Sequence, residues 1–298
     1  MKDTIKTMTA FEDQLAAFAE TLAHELDDGA LSFPTVFNLS LRIKELSDDP
    51  QVSVEEIAQL VRTEPVLSAR VLRVANSVLM NPTQKEITSV SKALNRIGST
   101  TFRCLAFAVA AEQIERDQRT EQMQDLASEL WAHSVDVAAW CYATATELKV
   151  CSPDKALMTG LMSNVGQFYL LAMASKFPSL DDQLLKFAHF VSLWEGPVRQ
   201  SVFQAFELPT AIVEAVNAGH DRPMVATQPT SLAEVLTFAE HAAQTANPLN
   251  RLLGVAQKQV PTAPLSESNG AESFEAIIRA ATATATRDEI LTLLAGHN

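Results

Sequence analysis

The chain has 298 residues, 47% hydrophobic and 20% charged, which suffices for a sizeable core and excludes global disorder. Nine glycines and 6% aromatics argue against a sandwich or barrel, which needs Gly-rich turns and aromatic strands. A formal net charge of −13 speaks against a chain whose main work is gripping a phosphate backbone.

The charge is uneven. Residues 1–30 carry −5, residues 31–117 are neutral, and residues 118–298 carry −8. Any anion-binding role is therefore confined to 31–117, and the acidic parts fit a basic or uncharged partner.

In chain order, residues 9–26 repeat apolar side chains at Phe11, Leu15, Phe18 and Leu22, which is helical spacing, and Asp28-Gly29 ends the run. A Pro-started helix follows from Phe33-Pro34, with Val36, Leu39, Ile43 and Leu46 on one face. Ser53 with Glu56 three residues on predicts a capping box opening a helix to about Arg62. Glu64-Pro65 opens the next, with Leu67, Val71, Val74 and Val78 as its buried stripe and Asn81-Pro82 as its break. A short helix from Thr88 or Ser89 ends at Gly98, and a longer one starts at Ser99 or Thr100.

Residues 118–130 are polar and read either as a linker or as the start of a helix. The stretch from Leu130 to Leu148 is one long helix. Ser152-Pro153 opens another that ends near Gly166, and residues 166–177 follow as a further helix. Ser179 caps a helix over 180–194, and Gly196-Pro197 predicts a break. Pro209 leads into a helix ending at His220, and residues 231–246 turn Leu232, Val235, Leu236 and Ala239 inward. Residues 255–273 are rich in Pro, Ser and Gly and read as an exposed linker before two short helices, about 273–283 and 287–295.

Cys104, Cys141 and Cys151 are too few and scattered for a disulfide framework or a four-thiolate zinc site, and fit a reducing cytoplasm. The N-terminus carries acids where a signal peptide carries an apolar run, and no apolar stretch is long enough to span a membrane. The expected location is cytoplasmic. No phosphate-cradling glycine loop and no GxSxG nucleophile motif is present.

Two stretches carry a resemblance. EPVLSARVLRVANS and ITSVSKALNRIG come first; LWAHSVDVAAWCYATATEL, GLMSNVG, ELPTAIVEAVNAGH and LAEVLTFAEHAA follow. Their order resembles the HDOD domain, a bacterial signalling module related to the HD-type metal phosphohydrolases. The resemblance covers about residues 31–246. It implies an all-α fold of two helical lobes, an HDOD-like domain over 31–250 split into an N-terminal lobe (31–117) and a degenerate HD-like lobe (118–250); outside it the residues read as an N-terminal helix (1–30) and a linker with C-terminal helices (251–298).

In HD phosphohydrolases a His, an adjacent His-Asp pair and a later Asp hold one or two metals that activate a water. Matched residue by residue, His133 takes the first His position and Ser163-Asn164 stands where the pair belongs. His220 lies near a later His, and Glu240 takes the place of the last Asp. Neutral Ser and Asn replace the pair that would anchor a metal, so the resemblance implies a degenerate site, no cofactor and no catalytic residue. It implies a non-catalytic regulatory module acting through signalling-protein or small-ligand contacts. Two alternatives stay open: a phosphohydrolase with an altered ligand set holding a divalent metal, and a nucleic-acid-binding helical module, against which the charge speaks. The residues also allow structural readings: His133 as a buried hydrogen-bonded histidine, His220 as a cation at a helix end.

In the neutral lobe Arg70, Arg73, Arg96 and Arg103, with Asn76, form a candidate contact surface for anions. Arg70 and Arg73, three apart, share a helix face. The structural readings are a solvated face with an ion pair to Glu64, and for Asn76 an amide bonding the turn around Asn81.

Overall fold

A computed structural model describes residues 2–29, 31–33, 35–78, 80–219, 229–255 and 281–295. Among them every regular element is helical, as expected. The chain runs α1 (Lys2–Asp27), α2 (Thr35–Asp48), α3 (Val54–Arg62), α4 (Pro65–Ala75), α5 (Val90–Asp117), α6 (Glu121–Leu148), α7 (Pro153–Met162), α8 (Val165–Ala174), a 3-10 turn (Pro178–Gln183), α9 (Leu184–Ala205), α10 (Thr210–Gly219), α11 (Leu232–Ala242), α12 (Pro248–Leu252) and α13 (Ala281–Ala295).

Local signals set many of the boundaries. The Ser53 backbone N–H donates to Glu56 Oε2 at 2.7 Å, and Glu56 N–H returns the bond to Ser53 Oγ at 3.3 Å. This is the capping box the spacing predicts. Pro65 and Pro153 each sit in a first helical turn, where a missing N–H costs no bond. Thr120 accepts from Met123 N–H, so the polar stretch after 118 is the first turn of α6 and not a linker. Gly98 breaks the α5 rod with φ 75° and ψ 167°, a conformation only glycine adopts without strain.

Several expectations are corrected. Val78 lies beyond the end of α4 and is 67% exposed, so Ala75 completes the buried stripe instead. In α2 Ile43 is buried and Leu39 packs against the core as expected, and Phe37 and Ser40 are buried beside them. Pro197 does not break α9. It lies on the exposed side of the helix, as does Leu193, the residue whose carbonyl its ring cannot pair. The break expected near Gly166 falls earlier, at Ser163-Asn164. A 3-10 turn occupies 178–183, and α9 starts only at Leu184.

α2, α3 and α4 pack on α5 to build the first lobe. α6 is the axis of the second, with α7, α11 and α13 around it. α5 touches α6, α7 and α8, so one continuous core runs through both lobes. α7 crosses α6 closely because Gly160 has no side chain: a Cβ there would stand 2.6 Å from Ala138 Cα. The N-terminal helix packs on the second lobe. Phe18 stacks on Phe177 at 4.8 Å and lies 5.0 Å from Phe190, and Tyr169 Oη donates to Glu25 at 3.0 Å. No described helix is long and apolar enough to cross a membrane.

Candidate functional site

α6 carries His133, Ser134 and Asp136 into the interior of the second lobe, all at most 3% exposed. The apolar run around them holds the helix in the core. His133 and Asp136, three apart, share a face; Ser134 points to another.

The His133 face meets the chain around and after α11. His133 Nδ1 lies 2.7 Å from the Thr245 carbonyl oxygen. Nε2 stands 3.3 Å from Glu240 Oε2, an ion-pair distance without the alignment of a hydrogen bond. Both ring nitrogens thus face acceptors, which suits the imidazolium. Burial pushes the His133 pKa down, but the Glu240 carboxylate, the Thr245 carbonyl and Asp136 outweigh it, and the net shift is upward. Asp136 Oδ2 accepts the backbone N–H groups of Gln244 at 2.6 Å and Thr245 at 3.1 Å. Its Oδ1 accepts Arg287 Nη2 at 2.7 Å and Nε at 3.2 Å, so both oxygens are occupied. Arg287 also stacks over the Trp140 ring at 5.3 Å.

The Ser134 face meets the Ser163-Asn164 break. Ser163 Oγ donates to the Gly160 carbonyl at 2.8 Å. Asn164 Nδ2 donates to Ser134 Oγ and Ser163 Oγ, each at 3.2 Å. Asn164 Oδ1 accepts from Asn247 Nδ2 at 3.3 Å, and that same amide donates to Gln167 Oε1 at 3.0 Å. Asn247 Oδ1 caps α12. Gln167 Nε2 reaches Glu195, which pairs with Arg199 at 2.7 Å. Ser, Asn and Gln therefore close a buried, mutually satisfied network.

The HD relationship implies a metal here, and the residues do not fit one. His133 Nδ1 is engaged by the Thr245 carbonyl and Nε2 faces the Glu240 carboxylate without a hydrogen bond, while Ser163 and Asn164 are neutral and bonded to each other and to Gly160, Ser134 and Asn247. Their contacts leave α6 from consecutive residues, about 100° apart around the helix. Among the described residues no three His, Cys, Asp or Glu side chains group as a ligand set. His220 lies outside the described residues.

The arginine surface is only partly brought together. Arg70 is 3% exposed, and Nη2 donates to Glu112 Oε1 at 2.6 Å. It offers no surface cation, and its partner is Glu112 rather than Glu64, because α4 lies against α5. Arg73 and Arg103 are half-buried, and Arg96 is exposed. Asn76 is a clasp: Nδ2 donates to the carbonyls of Leu72 and Ile87, and Oδ1 accepts from Ile87 N–H at 2.8 Å. It ties the loop to the end of α4, while Asn81 itself bonds the Lys85 carbonyl at 2.8 Å.

Asp136, Asn247, Gln167 and Arg287 escaped the sequence reading. Asp136 had a signal, an acid three residues after His133 in an apolar helix. Arg287 had none, since its partner is 151 residues away.

The HDOD domain family matches residues 33–189, more than half of the chain. The chain belongs to the HDOD family. No curated protein matches this HDOD chain. Among solved structures it is similar to a candidate metal-dependent phosphohydrolase from Shewanella amazonensis SB2B, with 22% identity, a TM-score of 0.65, and coverage of 96% of this chain and 99% of that one. An HDOD domain protein of unknown function from Geobacter sulfurreducens gives 22% identity and a TM-score of 0.51 over 93% of this chain and 88% of that one. A candidate signal transduction protein from Marinobacter aquaeolei VT8 gives 14% and 0.50, over 95% and 66%. At these identities the likeness shows the fold alone.

Proposed function

We propose that this HDOD chain is a non-catalytic regulatory module that works through contacts with signalling proteins or a small ligand. The observation that carries the reading is the closed network at Ser163-Asn164. Where the HD relatives place charged ligands, this chain places neutral groups whose donors and acceptors are spent on Ser134, Gly160 and Asn247. A metal would have to break those bonds without gaining a charged ligand in return. Membership in a bacterial signalling family supports the same reading.

The test is metal analysis of the purified full chain together with turnover of bis(p-nitrophenyl) phosphate under added Mn, Fe or Zn. The expected result is substoichiometric metal and no turnover above buffer. Stoichiometric metal with turnover lost in His133→Ala would overturn the proposal.

A further inference from the structure

A cleft of about 590 Å³ lies where the end of α5 meets α6 and α13. That volume falls within the range of small-ligand sites, about 300–1,000 Å³. Its apolar lining includes Trp131 and Val135 of α6 and Leu291 of α13. None of His133, Ser163, Asn164 or Glu240 lines it. The cleft joins the two lobes, since α5 belongs to the first and α6 to the second.

The charges in the cleft balance, and they are of two kinds. Glu112 is engaged by Arg70 at 2.6 Å, and Asp136 by Arg287 and two backbone N–H groups. These pairs tie α4 to α5 and α13 to α6. Glu115 and Arg116 are different. Both line the cleft from α5, and among the described residues neither side chain has a hydrogen bond or an ion pair. Consecutive residues point about 100° apart around a helix, so the two do not close on each other. Arg116 is exposed, but Glu115 is half-buried, and a half-buried carboxylate is costlier to leave unanswered than an exposed one. The cleft therefore presents one open carboxylate and one open guanidinium beside an apolar wall, with no surplus of either sign.

We propose that this cleft binds a small zwitterion with a large apolar body, of the α-amino acid class. The ammonium lies on Glu115, the carboxylate on Arg116, and the side chain against Trp131 and Leu291. Both charges of an α-amino acid sit on one carbon, which suits an anion and a cation presented by neighbouring residues of one helix. A polyanion or a polycation finds no matching excess here. Bound in the cleft, the ligand touches α5 of the first lobe and α6 and α13 of the second at once. The proposal rests on the regulatory reading and names its small ligand. The two fail separately: phosphodiester turnover sinks that reading without touching a binding titration, and absent binding leaves the turnover assay unaffected.

The probe is L-tryptophan, titrated calorimetrically into the full chain. Beside it run indole-3-propionate, which lacks the ammonium, and tryptamine, which lacks the carboxylate. L-tryptophan is expected to bind with a Kd below about 1 mM, and each analogue about fivefold more weakly or worse. Glu115→Gln should weaken L-tryptophan about fivefold and leave indole-3-propionate unchanged. Arg116→Gln should weaken L-tryptophan to a similar degree and leave tryptamine unchanged. Neither side chain has a partner among the described residues, so both variants are expected to fold, which circular dichroism checks. A Kd for L-tryptophan above about 1 mM, or an affinity indifferent to either substitution, overturns the proposal.

Discussion

Arg287 donates to Asp136 Oδ1 at 2.7 Å although the two are 151 positions apart in the chain. The bond closes α13 onto α6 and is nearly shielded from water, with side chains 10% and 3% exposed. The two partners are not equivalent. Removing Asp136 strands Arg287 and two backbone N–H groups, whereas removing Arg287 leaves Asp136 with its backbone donors. Asp136→Ala is therefore expected to lose about 3–5 kcal/mol and Arg287→Ala about 1–3 kcal/mol, read by urea denaturation. A larger loss for Arg287→Ala would contradict the assignment of the backbone amides as the primary hold on Asp136.

His133 makes stability depend on pH with a definite sign. Its folded pKa is raised above the ordinary 6.5, with Glu240 and Thr245 opposing the burial penalty. Its contribution is fully present below 6.5 and is lost as pH rises through the folded value. Relative to His133→Gln, the wild-type chain should lose stability across that rise. Denaturation midpoints at stepped pH check this; parallel curves for the two chains would refute it.

Asn164→Asp places a carboxylate in a network of neutral groups and removes the donor to Ser134 and Ser163. Burial would raise the new carboxyl's pKa, so the variant should be destabilised more at pH 7 than at pH 4, by about 2–4 kcal/mol at neutrality. Thermal melts at the two pH values measure the difference. If the network reading is right, added Zn or Mn does not restore the melting temperature.

Gly98 and Gly160 are required for different reasons. Gly98 has open space around a missing Cβ, but its backbone lies where only glycine is comfortable. Gly98→Ala should cost about 1–3 kcal/mol by strain alone. Gly160→Ala drives a methyl into the α6 backbone at Ala138. It should cost about 1–3 kcal/mol or more by forcing α7 off α6, and should perturb Ser163, one turn away, in NMR spectra.

Asn76→Ala removes the two hydrogen bonds that hold Ile87 and the one that anchors the Asn76 amide to Leu72 of α4. The expected loss is about 1–2 kcal/mol, with faster amide exchange at Ile87 and little change in the second lobe.

Much of this molecule was legible in the chain because it depends on neighbours in sequence. The Ser53–Glu56 box, the prolines opening α4 and α7, the Gly98 break and the apolar faces of α1 and α4 follow from residues within one or two turns. The misses share one cause. Pro197 continues its helix, Arg70 is buried against Glu112, and Arg287 answers Asp136. In each, the environment comes from an element far along the chain, or from which side of a helix meets water.

The sequence by itself determined a helical chain, neutral over residues 31–117, and local periodicity and residue type suffice for that. Only the tertiary structure decided where the charges went. The net charge of −13 concealed an acid, Asp136, fixed in the core and paired with a cation from the last helix. A buried charge is tolerated only where a specific partner arrives, and long-range packing alone brings it there.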